Sequence, residues 1–187
     1  HRIKLVAATD MSVMIFGENG TGKEHIAHHL HNKSKRVGKP FVAVDCGSLS
    51  KELAPSAFFG HVKGAFTGAE STKKGYFHEA EGGTLFLDEV GNLALETQQM
   101  LLRAIQERRY RPVGDKSDRS FNVRIIAATN EDLEAAVSEK RFRQDLLYRL
   151  RDFEITVPPL RDCQEDIMPL AEFFREIANK ELECNVS

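Results

Sequence analysis

The fold is decided by the stretch Gly17-Glu18-Asn19-Gly20-Thr21-Gly22-Lys23, which follows an apolar run at residues 12–16 and opens a helical pattern. This spacing is the G-x-x-x-x-G-K pattern in the strand-to-helix setting that it requires. Its glycines let backbone N–H groups turn toward phosphate oxygens, the helix N-terminus adds positive potential, and Lys23 can reach the terminal phosphates. The stretch therefore predicts a phosphate-binding loop, and a glycine-rich turn without a ligand is the disfavoured alternative.

A second part of the predicted site is the run Gly82-Gly83-Thr84-Leu85-Phe86-Leu87-Asp88-Glu89, an apolar strand that ends in two carboxylates. Glu24 follows Lys23 at the position where serine or threonine usually contacts Mg²⁺, so the metal needs another ligand. Asp88 would hold Mg²⁺, directly or through water, and Glu89 would orient and deprotonate an attacking water. This pairing predicts nucleotide hydrolysis; the alternative is a solvated strand end.

The rest of the chain alternates short apolar runs with longer amphipathic stretches, which predicts a β-α-β chain. We expect an α/β fold, a three-layer αβα sandwich of the P-loop NTPase type with a parallel five-stranded sheet. The expected strands are residues 12–16, 41–44, 84–87, 123–127 and 153–157, and the expected helices are residues 23–32, 52–59, 95–107, 133–139 and 143–150.

Two further segments lie outside this alternation. Residues 108–122 are polar and contain Pro112 and Gly114, which indicates a protruding hairpin or, equally, a disordered surface loop. Pro158 and Pro159 exclude helix and favour an extended linker. We therefore expect the α/β core to span residues 1–160 and the start of a helical lid to occupy residues 161–187.

Composition limits the classes of function. A chain of 187 residues with 41% hydrophobic content can bury one core, and its formal net charge of −2 gives no overall basic field for nucleic acid. Cys46, Cys163 and Cys184 lack the spacing of a zinc site or a disulfide framework, and no apolar run approaches membrane-spanning length. We expect a cytoplasmic protein with reduced thiols and no membrane contact. The start at His1 and the helical pattern at residues 167–182 predict that the chain is part of a longer protein.

A family resemblance becomes visible between the two nucleotide motifs, at Gly64-Ala65-Phe66-Thr67-Gly68-Ala69. This run resembles the loop of the NtrC-type enhancer-binding proteins, the AAA+ activators of sigma-54 RNA polymerase, and the resemblance covers nearly all of the chain. Glu24 agrees with this family's phosphate loop, whereas Asn19 stands where the family more often has serine. The resemblance implies that ATP is the nucleotide and that the loop presents Phe66 and Thr67 to sigma-54. On the residues alone, Phe66 buried in its own core would be favoured.

Other segments resemble the same family. Residues 123–130 are similar to its sensor strand, which implies that Thr129 and Asn130 end near the γ-phosphate; Asn130 as the N-cap of the next helix is a compatible alternative. Residues 141–150 are similar to its arginine-finger helix, which implies that Arg143 and Arg149 reach the ATP of a neighbouring subunit. Residues 108–122 correspond to a second loop beside the first, and residues 158–167 correspond to the passage into the helical lid.

The function that the resemblance implies is ATP hydrolysis with Mg²⁺ in a homo-oligomeric ring, expected to be a hexamer. Its energy would remodel the closed complex of the sigma-54 RNA polymerase holoenzyme, with DNA contacted by a domain outside this chain. Two alternatives stay open: another AAA+ remodelling ATPase, such as an unfoldase or chelatase subunit, and a nucleotide-binding assembly module with little hydrolysis. Whether the whole protein is a two-component response regulator also stays open.

Two positions invite readings that the residues disfavour. The family often has asparagine where Asp45 stands, and that residue is thought to hold the catalytic glutamate at rest. Two carboxylates repel unless a proton or a cation intervenes, so we do not expect a switch made of Asp45 and Glu89.

His25 and His29 lie one helical turn apart, but zinc needs three or four convergent ligands, so a polar helix face is the better interpretation.

Overall fold

The structure, a computed structural model, describes residues 2–181 and has a five-stranded parallel sheet at its centre. The strands, including the two of a separate antiparallel hairpin, are β1 (Val13–Phe16), β2 (Phe41–Asp45), β3 (Thr84–Asp88), β4 (Arg109–Tyr110), β5 (Arg119–Ser120), β6 (Arg124–Thr129) and β7 (Phe153–Thr156). The spatial order in the central sheet is β2-β3-β6-β1-β7, and every neighbouring pair is parallel. The predicted parallel sheet is confirmed, with strand limits within two residues of those expected.

Helices connect these strands, and five of them were predicted from periodicity. The helices are α1 (Arg2–Ala7), α2 (Lys23–Asn32), α3 (Ala54–Phe59), α4 (Tyr76–Glu79), α5 (Leu95–Glu107), α6 (Leu133–Ser138), α7 (Gln144–Leu150) and α8 (Ile167–Glu181). The limits of α2 and α5 agree with the prediction, and those of α3, α6 and α7 differ by one or two residues at one end. Two short helices, α1 and α4, were not predicted.

The sheet has an apolar cluster on each face, because successive side chains of a strand point to opposite sides. In β3, Leu85 and Leu87 belong to the cluster that α5 and α7 cover, whereas Phe86 belongs to the cluster that α1 and α2 cover. Ile125 and Ile126 of β6 divide in the same way. The chain is therefore the three-layer α/β sandwich that was expected.

A buried arginine explains why α1 lies where it does. Arg124, at the start of β6, is 1% exposed, and its guanidinium donates to the carbonyl oxygens of Val6 (2.9 Å), Ala7 (2.9 Å) and Met11 (3.2 Å). Val6 and Ala7 form the last turn of α1, whose carbonyl groups have no partners within the helix. Arg124 thus fastens the end of α1 to the start of β6 through hydrogen bonds, in addition to the apolar packing of Val6 and Ala7.

After β7 the chain leaves the sheet through Pro158 and Pro159. Two 3₁₀ turns follow, Leu160–Asp162 and Gln164–Asp166, and then α8 begins at Ile167. The expected break at the two prolines and the expected helix after it are both present; Leu182 and Cys184 lie outside the described residues. Between residues 2 and 181, no helix is long and apolar enough to cross a membrane.

Candidate functional site

The candidate nucleotide site lies at one edge of the sheet, where β1, β6 and β3 end. Phe16 of β1 is level with Thr129 of β6, and Leu87 of β3 is level with Ala127 of the same strand. Because neighbouring strands are about 4.8 Å apart, the ends of β1 and β3 are separated by about 10 Å, with the end of β6 between them. The fold therefore brings the phosphate loop, the sensor strand and the acidic pair to one place.

The phosphate loop runs from the end of β1 to the start of α2. Gly20 and Gly22 have φ angles of 80° and 81°, a backbone region that side chains other than glycine rarely adopt. The ammonium group of Lys23 lies inside the loop, where it donates to the carbonyl oxygens of Gly17 (3.0 Å) and Glu18 (2.9 Å). Lys23 is only 6% exposed, so its charge faces the loop rather than bulk water.

The acidic pair lies at the end of β3, where Asp88 is the last residue of the strand and Glu89 follows it. Asp88 accepts a hydrogen bond through Oδ1 from the backbone N–H of Glu89 (3.0 Å), which leaves its second oxygen available to a ligand. Glu89 has a φ angle of 50°, a left-handed conformation that costs a residue with a side chain on the order of 1 kcal/mol. Such strain at the end of a strand is typical of functional positions.

The carboxylate of Glu89 is held by Asn92, whose side-chain N–H donates to Oε2 (2.9 Å). Asp45 is engaged elsewhere, since its Oδ1 accepts from the backbone N–H of Gly47 (2.8 Å). The side chains of Glu89 and Asp45 both lie close to Gly47: a Cβ on Gly47 would be 2.8 Å from Glu89 Oε2 and 3.2 Å from Asp45 Oδ1. In this structure the hydrogen-bond partner of Glu89 is therefore Asn92, a residue that the sequence analysis did not single out.

The end of the sensor strand carries Thr129 and Asn130. Thr129 is 1% exposed and accepts a hydrogen bond from the backbone N–H of Glu131 (3.0 Å), whereas Asn130 is exposed. Asn130 does not cap α6, contrary to that alternative. The cap is Asp132, whose carboxylate accepts from the N–H groups of Glu134 (3.0 Å) and Ala135 (3.1 Å), because it lies directly before the helix.

The two predicted arginine fingers lie at and near α7. Arg143 is the N-cap residue of α7 rather than part of it, and its guanidinium pairs with Asp145 through two hydrogen bonds of 3.0 and 2.8 Å. This hydrogen bonding lowers the pKa of Asp145. Arg149 lies in the last turn of α7 and is exposed. Both side chains are therefore at the surface.

The segment with the family-typical loop, residues 61–73, is called the finger here. Its ends are paired by two hydrogen bonds between the backbones of His61 and Lys73, each 2.9 Å long. Within it, Gly64 donates to the carbonyl of Ala69 (2.8 Å), and Gly64 and Gly68 have φ angles of 80° and 99°. The finger is a compact turn with internal hydrogen bonds.

The tip of the finger is exposed. Thr67 faces solvent and Phe66 is 41% exposed, so Phe66 is not part of the apolar core. The ring of Phe66 packs edge-on against His61, at 5.0 Å between centroids, and His61 is fixed by a hydrogen bond to Ser56 (2.7 Å). One side of Phe66 borders a cavity of about 520 Å³ that Phe59, Met100 and Tyr110 also line.

The segment at residues 108–122 is a hairpin formed by β4 and β5, as one of the two alternatives predicted. It lies beside the finger: Val113 donates to the carbonyl of Gly60 (2.9 Å) and accepts from the N–H of Val62 (3.1 Å). A Cβ on Gly114 would lie 2.7 Å from Cβ of Ala65 in the finger. The finger and the hairpin are therefore in direct contact.

The histidines of α2 have structural surroundings. His31 is 4% exposed and shares a hydrogen bond between Nδ1 and the hydroxyl of Thr84 (2.9 Å), and burial lowers the pKa of its ring. His28 stacks on Phe41 at 3.8 Å between ring centroids. In the described part of the chain, no three His, Cys, Asp or Glu side chains come together as a metal site.

Comparison with known proteins gives one family. The family model described as "Sigma-54 interaction domain" matches residues 1–156. The sigma54-dependent transcriptional regulator SfnR of Pseudomonas fluorescens (strain Pf0-1) is 48% identical over 180 residues, which are 96% of this chain and 49% of that protein. The chain thus spans about half the length of this curated relative.

Solved structures agree with this result. The crystal structure of NtrX from Brucella abortus in complex with ADP has a TM-score of 0.90 and 35% identity, covering 97% of this chain and 40% of that one. The structure of NtrX in complex with ATP has a TM-score of 0.85 and 38% identity, covering 94% of this chain and 40% of that one.

Proposed function

The chain belongs to the sigma-54 interaction domain family, and from that premise we propose that it hydrolyses ATP to remodel the closed complex of sigma-54 RNA polymerase. The observation that carries the proposal is the meeting of the phosphate loop, Thr129 and the Asp88-Glu89 pair at one edge of the sheet. A phosphate loop alone supports binding, whereas an adjacent carboxylate that can orient water supports hydrolysis.

Each part of the site has a role in this proposal. The loop at residues 17–24 cradles the phosphates, and Lys23 leaves its two carbonyl partners to bind the β- and γ-phosphates. Glu89 turns from Asn92 toward the γ-phosphate and takes the proton of the attacking water. Asn130, exposed beside Thr129, contacts the γ-phosphate or the water.

The donor set at the strand end fits Mg²⁺. This ion prefers oxygen ligands and is usually held by one or two carboxylates together with phosphates and water. The free oxygen of Asp88 provides such a ligand within reach of the phosphate loop, and Glu24 takes no part in the hydrogen bonds of that loop. Bound there, the ion would neutralise charge that develops on the phosphates.

The arginines at α7 require a neighbouring subunit. Arg143 and Arg149 lie at the surface, where they can reach the nucleotide of the next protomer in a ring, which we propose to be a hexamer. Arginine suits this role because its planar, permanently charged group braces phosphate oxygens at two points. Arg143 must leave Asp145 to do so.

The finger is proposed as the contact with sigma-54. Phe66 and Thr67 are exposed at its tip, with an apolar ring and a hydroxyl available to a protein surface. The whole protein, about twice as long as the chain if it resembles its relatives, would contact DNA through another domain and act in the cytoplasm. The finger and the family match speak against an unfoldase, a chelatase subunit or an assembly module.

The test is the substitution Glu89→Gln in the full-length protein. We expect wild-type affinity for a fluorescent ATP analogue and a loss of phosphate release of at least about a hundredfold, because the amide keeps the shape but cannot accept a proton. Glu52→Gln, an exposed carboxylate outside the site, serves as the matched control. Near-wild-type hydrolysis by Glu89→Gln would remove Glu89 from the reaction.

A further inference from the structure

An ion pair connects the phosphate loop to the segment that leads out of the α/β core. Arg161 Nη1 donates to Glu18 Oε2 (2.8 Å), and Arg161 Nη2 donates to Oε1 of the same carboxylate (2.5 Å). Glu18 is the second residue of the phosphate loop, and Arg161 lies in the 3₁₀ turn after Pro158 and Pro159. This two-point geometry fixes both side chains relative to each other.

A second contact lies just before the ion pair. The backbone N–H of Val157 donates to the carbonyl of Phe16 (2.7 Å), and a Cβ on Gly17 would lie 3.1 Å from both Cβ and the carbonyl oxygen of Val157. The segment that leaves β7 therefore runs directly against the first residue of the phosphate loop. Glu18 and Arg161 fasten the two segments again a few residues later.

The main chain of Glu18 belongs to the inner lining of the loop. Its carbonyl oxygen accepts from Lys23 Nζ (2.9 Å) and from the hydroxyl of Thr21 (2.8 Å). The side chain of the same residue is held from outside by Arg161. The carboxylate that Arg161 neutralises therefore belongs to a residue that lines the phosphate loop.

The charges of the pair matter as well. The hydrogen bonds between the two side chains lower the pKa of Glu18 and raise that of Arg161, so both are ionised at neutral pH. Both are more than half exposed, and an exposed ion pair adds little to stability. The pair matters because of where Glu18 lies. A carboxylate on a loop that binds polyphosphate repels the phosphates unless a cation neutralises it.

Resting on the proposed nucleotide binding, we propose that Arg161 is a positioning residue for the phosphate loop. It cancels the charge of Glu18, which would otherwise repel the phosphates that the loop receives. Because Arg161 lies on the segment between the core and α8, the pair also links the position of that segment to nucleotide affinity. The affinity for ATP depends on the pair more than the affinity for ADP does, since ATP carries more negative charge.

The experiment measures the Kd of fluorescent ATP and ADP analogues for the full-length protein and for Arg161→Gln, Glu18→Gln and the double variant. We expect Arg161→Gln to raise the Kd for ATP about threefold to tenfold, as one partly screened charge does, and to raise that for ADP less. Removing the carboxylate as well should return the Kd to within about twofold of wild type. High salt should shrink the effect of Arg161→Gln.

The matched control is Arg103→Gln, which breaks the comparable exposed pair with Glu107 on α5 (3.0 Å) and should leave both Kd values unchanged. Unchanged ATP affinity in Arg161→Gln, or a double variant as weak as Arg161→Gln alone, would overturn the proposal; the second result would mean that Arg161 touches the nucleotide itself. Failure of the wild-type protein to bind either nucleotide would overturn the proposed function as well, so the two failures are distinguishable.

Discussion

The contact between the finger and the hairpin can be broken by one methyl group, at Gly114. The φ angle of Gly114 is 78°, and a Cβ there would lie 2.7 Å from Cβ and 3.0 Å from Cα of Ala65. Carbon atoms in contact are normally about 3.5–4.0 Å apart, so the hairpin or the finger must move by about 1 Å to accept alanine. The left-handed backbone adds a cost of about 1–2 kcal/mol.

We expect Gly114→Ala to separate hydrolysis from partner binding. The phosphate loop and Glu89 take no part in the contact, so the rate of phosphate release should stay within about twofold of wild type. Capture of sigma-54 should fall about tenfold, because a finger displaced by about 1 Å no longer holds Phe66 and Thr67 in place; a tenfold fall corresponds to about 1.4 kcal/mol of binding free energy. The assay is a pull-down with ADP and aluminium fluoride, with phosphate release measured in parallel.

Gly38→Ala is the matched control for backbone strain. Gly38 has a φ angle of 76°, but no atom lies within 4 Å of a Cβ built on it. Gly38→Ala should lose about 1–2 kcal/mol of unfolding free energy, seen as a Tm lower by a few degrees, and Gly114→Ala should lose more because of its contact with Ala65. Only Gly114→Ala should lose sigma-54 capture. Wild-type capture by Gly114→Ala would refute the idea that the hairpin positions the finger.

Two further predictions follow from the surface arginines and from the buried one. Arg149→Ala and Lys23→Ala should each abolish ATP hydrolysis when the variant is assayed alone. A mixture of the two variants should regain part of the activity in a phosphate-release assay, because some interfaces between subunits then combine an intact Lys23 with an intact Arg149. No recovery in the mixture would contradict action between subunits. Arg124→Met should lower the free energy of unfolding by about 3 kcal/mol, because the carbonyls of Val6 and Ala7 lose a charged donor. Thermal denaturation measures this loss, and an unchanged Tm would show that those carbonyls find other partners.

Much of the fold could be predicted because its determinants are local. Nearly continuous apolar runs in β3 and β6 are typical of a sheet covered on both faces, and α2 and α5 have limits that periodicity gives correctly. The short helix α1 was missed because six residues are too few to show a clear period, and because Arg124, 117 residues further along, holds its end. A charged side chain inside a strand carries no signal of the partner that will bury it.

The site was predictable where a motif carries it, and not where pairing depends on the tertiary fold. Lys23 lies at the end of the loop after β1, and Asp88 and Glu89 lie at the end of β3; the ends of these two strands lie close together in any parallel sheet of this order. The hydrogen bond of Asn92 to Glu89 spans three residues and could have been inferred from the turn between them. The pair of Glu18 and Arg161 spans 143 residues and depends on the path of the chain after β7, which the sequence does not specify.

The central claim is that nucleotide chemistry at Lys23 drives the tip of the finger against sigma-54. Its most direct test is capture of sigma-54 by the full-length protein with and without ADP and aluminium fluoride, in wild type and in Thr67→Ala. We predict capture only by the wild type and only with the analogue, while Thr67→Ala hydrolyses ATP within about twofold of the wild-type rate, since Thr67 lies in the finger and outside the nucleotide site. Equal capture by Thr67→Ala, or capture by the wild type without the analogue, would contradict the claim.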